Sequence, residues 1–257
     1  MKYKKIGDIL ILDNSYSKND FEELSKKHNV KTIMKIDHIQ GTKREPIYKI
    51  LYGSETETIN KENGCLFKLD LAKVMWSKGN NNERLRIAKL VEDDETVLDM
   101  FAGIGYFSIP IGVHSNAKEV ISIEINPNSY EFLCENIKLN KLNNVTPILG
   151  DCMVETPKFK ADRIVMGYVK TTHHYLKVAI DSLNKGGILH YHETVPEKLM
   201  KTRPIERIIS QAGNRDVELI KINKIKKYAP GVEHVVIDAR IDWLFFPECN
   251  HLTTLCL

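Results

Sequence analysis

"TVLDMFAGIGYFSIP", residues 96–110, is the stretch of sequence that decides the fold. Its first part is apolar and ends in Asp99, a pattern typical of a buried strand with an acid at its carboxyl end. Gly103 and Gly105 follow, and a residue without a Cβ lets the backbone bend sharply and lie against a ligand. The third glycine of the dinucleotide fingerprint would fall at Ser108, so no pyrophosphate cradle is indicated. The stretch therefore predicts a strand, a glycine turn and a helix beside a small ligand.

Apolar strands and amphipathic helices alternate after this stretch. The clearest helix is "PNSYEFLCENIKLN" (127–140), whose apolar residues recur at helical spacing, and further helices are expected at 172–183 and 205–212. Strands are expected in "EVISIEI", "VTPILG", "DRIVMGY", "GILHYHE", "DVELIKI" and "HVVIDARI". Such alternation implies right-handed crossovers between parallel strands. We predict a doubly wound, Rossmann-like α/β domain with a mainly parallel sheet.

The N-terminal part predicts a small mixed α/β module. Short strand-like runs, "DILIL", "KTIMKI", "IYKILYG" and "CLFKLDL", accompany a helix in "SKNDFEELSKKHN". The loop "SKGNNN" (77–82) then precedes a helical stretch, so the boundary is placed there. The predicted units are an N-terminal module, residues 1–79, and a catalytic domain, residues 80–257.

Composition favours a packed protein of the cytoplasm. The 257 residues are 42% hydrophobic and 28% charged, and no apolar run approaches the roughly 18 residues of a membrane span. The start, "MKYKKIGDILIL", is interpreted as a strand and not as a signal peptide. Five scattered cysteines form no CxxC pair, which fits a reducing compartment and argues against structural zinc. Net charge is only +3, and Lys and Arg outnumber Asp and Glu by 15 to 11 within residues 1–80.

Three acids stand where successive strands of the predicted sheet end. Asp99, Glu124 and Asp151 are 25 and 27 residues apart, about one strand–helix unit each. Glu124 is placed to accept hydrogen bonds from two ribose hydroxyls. Asp151 can accept from an adenine amine while the amide of Cys152 donates to a ring nitrogen. These features predict S-adenosylmethionine as ligand, with Phe101 and Gly103 also in the binding set. The alternative is that Glu124 and Asp151 are helix caps.

Four longer stretches resemble one known family. They are "LFKLDLAKVMWSKGNNNERLRIAKLV", "VLDMFAGIGYFSIPI", "IEINPNSYEFLCENIKLN" and "KIKKYAPGVEHVVIDARI". They are similar to archaeal and eukaryotic tRNA enzymes that act on the guanosine just 3′ of the anticodon. One branch of that family methylates N1 of the guanine. The other, in wybutosine synthesis, transfers the 3-amino-3-carboxypropyl group of S-adenosylmethionine to a tricyclic guanine derivative, 4-demethylwyosine.

The turn after the fourth strand separates the two branches. N1-methyltransferases of the family carry Asn-Leu-Pro or Asn-Pro-Pro there, whereas this chain has Met166-Gly167-Tyr168. The resemblance therefore implies aminocarboxypropyl transfer to phenylalanine tRNA, with the anticodon arm as partner. It also implies that Ser77 and Arg84 direct the methionine arm, because a guanidinium suits a carboxylate. Guanine N1-methylation, or an inactive subunit that binds cofactor and tRNA, are the alternatives.

The candidate catalytic residues are two side chains near the same turn. His173 follows it and Glu193 ends the next strand, where each is a hypothesis for acceptor contact or proton removal. The alternative for His173 and His174 is one solvated and one packed imidazole. "HYHE" (190–193) invites a metal site, but no third ligand is evident, so no metal is expected. A monomer that does not enter membranes completes the prediction.

Overall fold

The computed structural model describes residues 3–13, 16, 20–41, 44–76, 78–169 and 171–243. The N-terminal elements form a four-stranded sheet of order β1-β2-β3-β4, a helix, and a hairpin made of β5 and β6. Asp20 begins the helix by accepting from the Glu23 amide, which satisfies a backbone donor that has no partner within the helix. The bounds are β1 (Tyr3–Ile6), β2 (Ile9–Leu12), α1 (Phe21–His28), β3 (Thr32–Gln40), β4 (Glu45–Tyr52), β5 (Glu57–Glu62) and β6 (Cys65–Asp70).

The rest of the chain builds a seven-stranded sheet and its helices. The strands are β7 (Thr96–Asp99), β8 (Glu119–Glu124), β9 (Val145–Leu149), β10 (Ala161–Met166), β11 (Leu183–Pro196), β12 (Arg215–Ala229) and β13 (Val232–Trp243). The helices are α2 (Asn81–Leu90), α3 (Ser108–His114), α4 (Pro127–Leu139), α5 (Cys152–Glu155), α6 (Leu176–Ser182) and α7 (Arg203–Ala212). Residues 172–175, predicted as the start of a longer helix, form a 3-10 turn ahead of α6.

The strand order is β12-β13-β11-β10-β7-β8-β9. The five strands from β11 to β9 pair in parallel, and β13 pairs antiparallel with both β11 and β12. The predicted mainly parallel sheet is therefore confirmed. The order reverses between β7 and β10, and crevices form outside the carboxyl ends of strands at such a switch point. The Lys-rich "KINKIKK" segment (221–227) lies within β12, at one edge of the sheet.

The N-terminal sheet and the catalytic sheet share one hydrophobic core. Ile6, Ile9 and Met34 belong to the same buried cluster as Val97 and Phe107. Apolar burial of this kind is the main stabilising contribution to a fold. The division at residues 79 and 80 stays a prediction, and the packing is continuous across it.

The β5–β6 hairpin joins the two parts through side-chain amides. Asn136 of α4 accepts from the Lys68 amide at 2.6 Å and donates to the Lys68 and Ile104 carbonyls at 3.1 and 3.0 Å. Asn140 makes the equivalent pair of bonds to Leu66, at 2.9 and 2.7 Å. These amides satisfy backbone groups of β6 as a neighbouring strand would. No helix in the described part of the chain is both long and apolar enough to span a membrane.

Candidate active site

A cavity of about 330 Å³ opens at the carboxyl ends of β7, β8 and β10. It lies at the switch point of the sheet, where open α/β folds bind their ligands. Its wall combines the glycine turn, the end of β8, the turn after β10 and two N-terminal residues. The lining residues are Arg44, Met75, Phe101, Gly103, Tyr106, Glu124, Ile125, Ser129, Gly167, Tyr168, Thr171 and Tyr175.

The glycine turn packs tightly against its neighbouring residues. Gly103 has φ +59°, and a Cβ there would lie 2.5 Å from Cε2 of Tyr106, so no other residue fits without a shift. Beneath the turn, Asp99 is fully buried and accepts from the Ser108 hydroxyl at 2.7 Å and the Phe101 amide at 3.3 Å. Burial, with a contribution from nearby Glu124, raises the pKa of Asp99 to about 6. Asp99 thus supports the turn from below.

Glu124 presents its carboxylate to the cavity. Its two oxygens accept from the amides of Gly103 at 2.7 Å and Asn126 at 2.8 Å. Each oxygen keeps a lone pair for a further donor. Burial raises the pKa of this carboxyl. The cap of α4 is Asn126, which accepts from the Asn128 amide, so Glu124 is not the helix cap. A buried carboxylate beside a close backbone approach fits the hydroxyl pair of a ribose.

Asp151 and Cys152 lie beside the cavity and not on its wall. Asp151 is exposed and accepts from the Met153 amide at 2.9 Å, so here the cap interpretation describes the structure. Cys152 is buried, and burial with the adjacent Asp151 charge raises the pKa of its thiol to about 12. The thiol is therefore neutral, and the predicted contact would come from the backbone amide.

Aromatic rings form one side of the cavity. Phe101 stacks on Tyr168 with ring centroids 5.5 Å apart and meets Tyr175 edge-on at 5.1 Å. The Arg44 guanidinium carbon lies 5.9 Å from the centroid of Tyr168. A wall of this kind offers flat apolar faces and one cation, which suits a planar heterocycle.

The turn after β10 is held in place by polar contacts from β11. The Val169 carbonyl accepts from the Thr194 amide at 3.2 Å and from its hydroxyl at 2.9 Å. Within the turn, the Thr172 hydroxyl donates to the Tyr168 carbonyl at 2.5 Å. A Cβ on Gly167 would lie 2.7 Å from Cε2 of Phe107, so the turn is pressed against α3. A side chain at this position would therefore require the Phe107 ring to shift.

Arg84 supports the cavity wall from behind. It is 2% exposed, its Nη1 lies 2.6 Å from Oε1 of Glu62, and its guanidinium covers the rings of Trp76 and Tyr106 at 4.8 Å each. Tyr106 lines the cavity and Arg84 does not. The carboxylate that Arg84 binds in this structure is that of Glu62. Ser77, the other residue assigned to the methionine arm, lies outside the described residues.

The structure does not bring His173 or Glu193 onto the cavity wall. His173 is half-buried against His174, with ring centroids 4.1 Å apart, and burial lowers its pKa. Glu193 is 1% exposed. Its Oε2 accepts from the Tyr191 hydroxyl at 2.7 Å, and its Oε1 accepts from Arg203 at 2.8 Å and Arg207 at 2.6 Å. A direct contact between Glu193 and the acceptor is not what this geometry supports.

The histidines of "HYHE" belong to two internal hydrogen-bond pairs. His190 lies 2.7 Å from Asp238 and 2.9 Å from Arg163, and His192 lies 3.1 Å from His234. Burial lowers the pKa of His190, and of His192 far more. Among the residues that the structure describes, no group of three His, Cys, Asp or Glu side chains could hold a metal ion.

Half of the cavity wall had no signal in the sequence. Arg44 and Met75 come from the N-terminal part, and neither stands in a motif. Thr171 and Tyr175 flank His173 and His174, the pair that contains the candidate catalytic histidine. Ile125, directly after Glu124, is an exposed apolar residue that also lines the cavity.

A glycine turn and a buried strand-end carboxylate at the switch point of a mainly parallel sheet define the class I S-adenosylmethionine-dependent fold. Residues 58–220 match the family model described as TRM5/TYW2 methyltransferase domain. The chain belongs to this family, and the predicted resemblance is confirmed.

Three known proteins illustrate the relationship. A tRNA(Phe) (4-demethylwyosine(37)-C(7)) aminocarboxypropyltransferase of Methanocaldococcus jannaschii is 52% identical, over 94% of this chain and 98% of its own length. The tRNA (guanine(37)-N(1))-methyltransferase Trm5b of Pyrococcus abyssi is 39% identical, over 93% of this chain and 74% of its own. The crystal structure of M. jannaschii TYW2 in complex with AdoMet superposes with a TM-score of 0.80 and 48% identity, covering 95% of this chain and all of that one.

Proposed function

We propose that this chain transfers the 3-amino-3-carboxypropyl group of S-adenosylmethionine to 4-demethylwyosine at position 37 of phenylalanine tRNA, a step in wybutosine synthesis. The observation that carries the proposal is the turn at the cavity, where Gly167 and Tyr168 stand without a side-chain amide or acid. A guanine that must lose its N1 proton needs a polar partner there. A tricyclic base that reacts at carbon needs a flat surface, which Tyr168 and Phe101 supply.

The nucleoside end of the cofactor fits the glycine turn. Glu124 would accept from both ribose hydroxyls with the lone pairs that its two backbone contacts leave open. Gly103 would allow the backbone to approach the ligand, and Ile125 would cover one face of the adenine. Asp151 and the Cys152 amide remain the proposed contacts to the adenine edge.

The chemistry of the group donor sets what the rest of the site must do. S-adenosylmethionine supplies a sulfonium whose three attached carbons are all open to nucleophilic attack. The product depends on which carbon faces the acceptor at roughly 3–3.5 Å and in line. In the proposed reaction the bond from the γ-carbon to sulfur breaks, a carbon–carbon bond to C7 forms, methylthioadenosine leaves and the acceptor carbon loses a proton.

Polar residues near the turn are proposed to orient the arm and receive the proton. Arg84 would release Glu62 and bind the amino-acid carboxylate of S-adenosylmethionine in its place, with Ser77 beside it. His173, whose pKa burial lowers, is neutral at pH 7 and able to accept a proton. Glu193 would act through the arginines that surround it. The substrate partner is tRNA, with the anticodon arm at the cavity, and we propose a cytoplasmic monomer.

One assay separates the proposed reaction from its alternatives. Precursor tRNA is incubated with the protein and with S-adenosylmethionine labelled in either the methyl or the carboxyl carbon. Carboxyl label in the tRNA, with methylthioadenosine released, is the expected result. Methyl label with S-adenosylhomocysteine released would make the chain a methyltransferase. S-adenosylmethionine binding without either label in tRNA would make it an inactive binding subunit.

A further inference from the structure

Two arginines of α7 share one buried carboxylate. Arg203 Nε and Arg207 Nη1 both donate to Oε1 of Glu193, at 2.8 and 2.6 Å, while Tyr191 occupies Oε2. The arginines stand four residues apart, so they project from the same face of the helix. Two cations against one anion leave an excess positive charge at this place. A guanidinium held by such contacts is fixed before any ligand arrives, which lowers the entropy cost of binding.

Both arginines also keep donors that point outward. Their side chains are 28% and 29% exposed. Arg203 uses Nε on Glu193 and Nη2 on the Thr194 carbonyl at 2.7 Å, which leaves Nη1. Arg207 uses Nη1 on Glu193 and is also hydrogen-bonded to the Tyr191 hydroxyl. Among the described residues, these contacts do not use all five N–H donors of either guanidinium. Each guanidinium therefore has at least one outward edge open to an anion.

The arginine pair adjoins the acceptor rim of the cavity. Arg203 binds the Thr194 carbonyl, and Thr194 in turn binds the carbonyl of Val169, next to cavity-lining Tyr168. His173 lies between the lining residues 171 and 175, and the charges of Arg207 and Arg203 help to lower its pKa. A base stacked in the cavity would carry its own phosphates past this rim.

The surrounding charges favour an anion. Residues 198–207 contain Lys198, Lys201 and both arginines against Glu206 alone. Two lysines of β12 differ, because Lys224 is paired with buried Glu233 at 2.9 Å and Lys226 is half-buried with a lowered pKa. Near the acceptor rim, accessible positive charge thus comes from Arg44 in the cavity wall and from α7 with the turn before it.

We propose that Arg203 and Arg207 bind the RNA backbone phosphate that flanks the base held in the cavity, with Glu193 as the residue that positions them. The proposal rests on the proposed function, since it takes the occupant of the cavity to be a tRNA base. A planar guanidinium matches phosphate oxygens in a bidentate manner, and phosphate contacts fix the register in which a base is presented.

The test measures tRNA binding without turnover, across a series of salt concentrations. Arg207→Gln is expected to raise the Kd for precursor tRNA by about 10-fold and to lower the slope of log affinity against log salt by about 1. Arg207→Lys is expected to keep most of that slope. The Kd for S-adenosylmethionine, measured by calorimetry, is expected to stay within about twofold, because the arginine does not touch the cofactor end.

Two further variants separate phosphate binding from a structural role. Glu193→Gln loosens the arginines and keeps their charge, so the salt slope is expected to persist. Lys118→Gln removes an equal charge at the amino end of β8 and is expected to change neither quantity. An unchanged salt slope in Arg207→Gln, or an equal loss of slope in Glu193→Gln, would overturn the proposal. Because binding is measured without turnover, missing label transfer in the wild type would count against the proposed function alone.

Discussion

The two ends of the cavity are built in different ways. The end proposed to bind the cofactor comes from a short run of chain, residues 99–126, and is held by the Gly103 and Asn126 amides on Glu124. The end proposed to bind the acceptor, called the acceptor end, gathers the turn after β10, Thr194 from β11 and Arg44 from the N-terminal part. One end is a local motif and the other an assembly of distant segments. This difference is consistent with a family whose members include both an aminocarboxypropyltransferase and a guanine N1-methyltransferase.

The largest effect is expected where the local motif meets the ligand. Glu124→Gln should raise the Kd for S-adenosylmethionine by about 100-fold or more, because charge-assisted hydrogen bonds to two hydroxyls are lost at about 1.5–3 kcal/mol each. Isothermal calorimetry checks this, with Glu119→Gln at the other end of β8 as the matched control. An affinity within threefold of the wild type would remove Glu124 from the cofactor site.

The two ends should also respond oppositely to acid. Burial and the Lys226 charge lower the pKa of His234, which pairs with Thr194 across β11 and β13, from 6.5 to about 4. Below pH 6.5 this histidine binds a proton in the unfolded chain but stays neutral in the folded chain. The free energy of unfolding therefore decreases as pH falls from 6.5 towards 4. His234→Gln should reduce this loss by about 2–3 kcal/mol. Urea unfolding at a series of pH values measures this change in the free energy of unfolding. A His234→Gln variant that loses stability as steeply as the wild type would contradict the predicted role of His234.

Asp99, at the proposed cofactor end, is expected to change stability with pH in the opposite direction. Its folded pKa of about 6 lies above the ordinary aspartate value of 3.8, so its contribution is fully present below pH 3.8 and is lost as pH rises through 6. Asp99→Asn should therefore make the decline of stability on acidification steeper than in the wild type, by about 3 kcal/mol between those limits. The same urea series tests it, and a shallower decline would refute the predicted sign.

The acceptor end should respond to added volume without disturbing the cofactor end. Gly167→Ala places a Cβ 2.7 Å from the Phe107 ring, which packs on His192 and cannot retreat freely. Transfer to tRNA should fall about 10–30-fold, because a small displacement of the acceptor breaks the in-line geometry. S-adenosylmethionine affinity should be retained. Adding Phe107→Leu should restore part of the rate, and no rescue together with weakened cofactor binding would mean that the two ends are coupled.

The smallest effect is expected from a single tether of the turn. Thr194→Val keeps the shape and the backbone amide and removes the hydroxyl that donates to Val169. One neutral hydrogen bond contributes about 1 kcal/mol, so the transfer rate should drop about fivefold. Steady-state kinetics measure this rate. The control is Thr146→Val, because Thr146 lies on the edge strand β9 and its hydroxyl donates to Glu119. Equal rates for both variants would show that the tether is dispensable.

The same contrast explains what could be predicted from the sequence. Phe101, Gly103 and Glu124 were predicted near the ligand and line the cavity, because strand periodicity and the glycine turn are local signals. Glu193 was assigned to the acceptor as another strand-end acid, but the arginines that enclose it come from a later helix and no local pattern announces them. Arg44 was missed for the same reason.

Asp151 shows the limit of the strand-end argument in another way. An acid after a strand can serve a ligand or the next helix, and the same short spacing serves both. Here the carboxylate accepts from the Met153 amide and caps α5. The two functions differ only in which donors come close, and that depends on three-dimensional packing.

The side-chain amide of Asn136 connects the β5–β6 hairpin to the glycine turn. It bonds to the backbone of Lys68 in the hairpin and to the Ile104 carbonyl in the turn. Two segments that lie 32 and 68 residues away from Asn136 along the chain therefore depend on one buried side-chain amide. A substitution at this single position would disturb the hairpin and the glycine turn together.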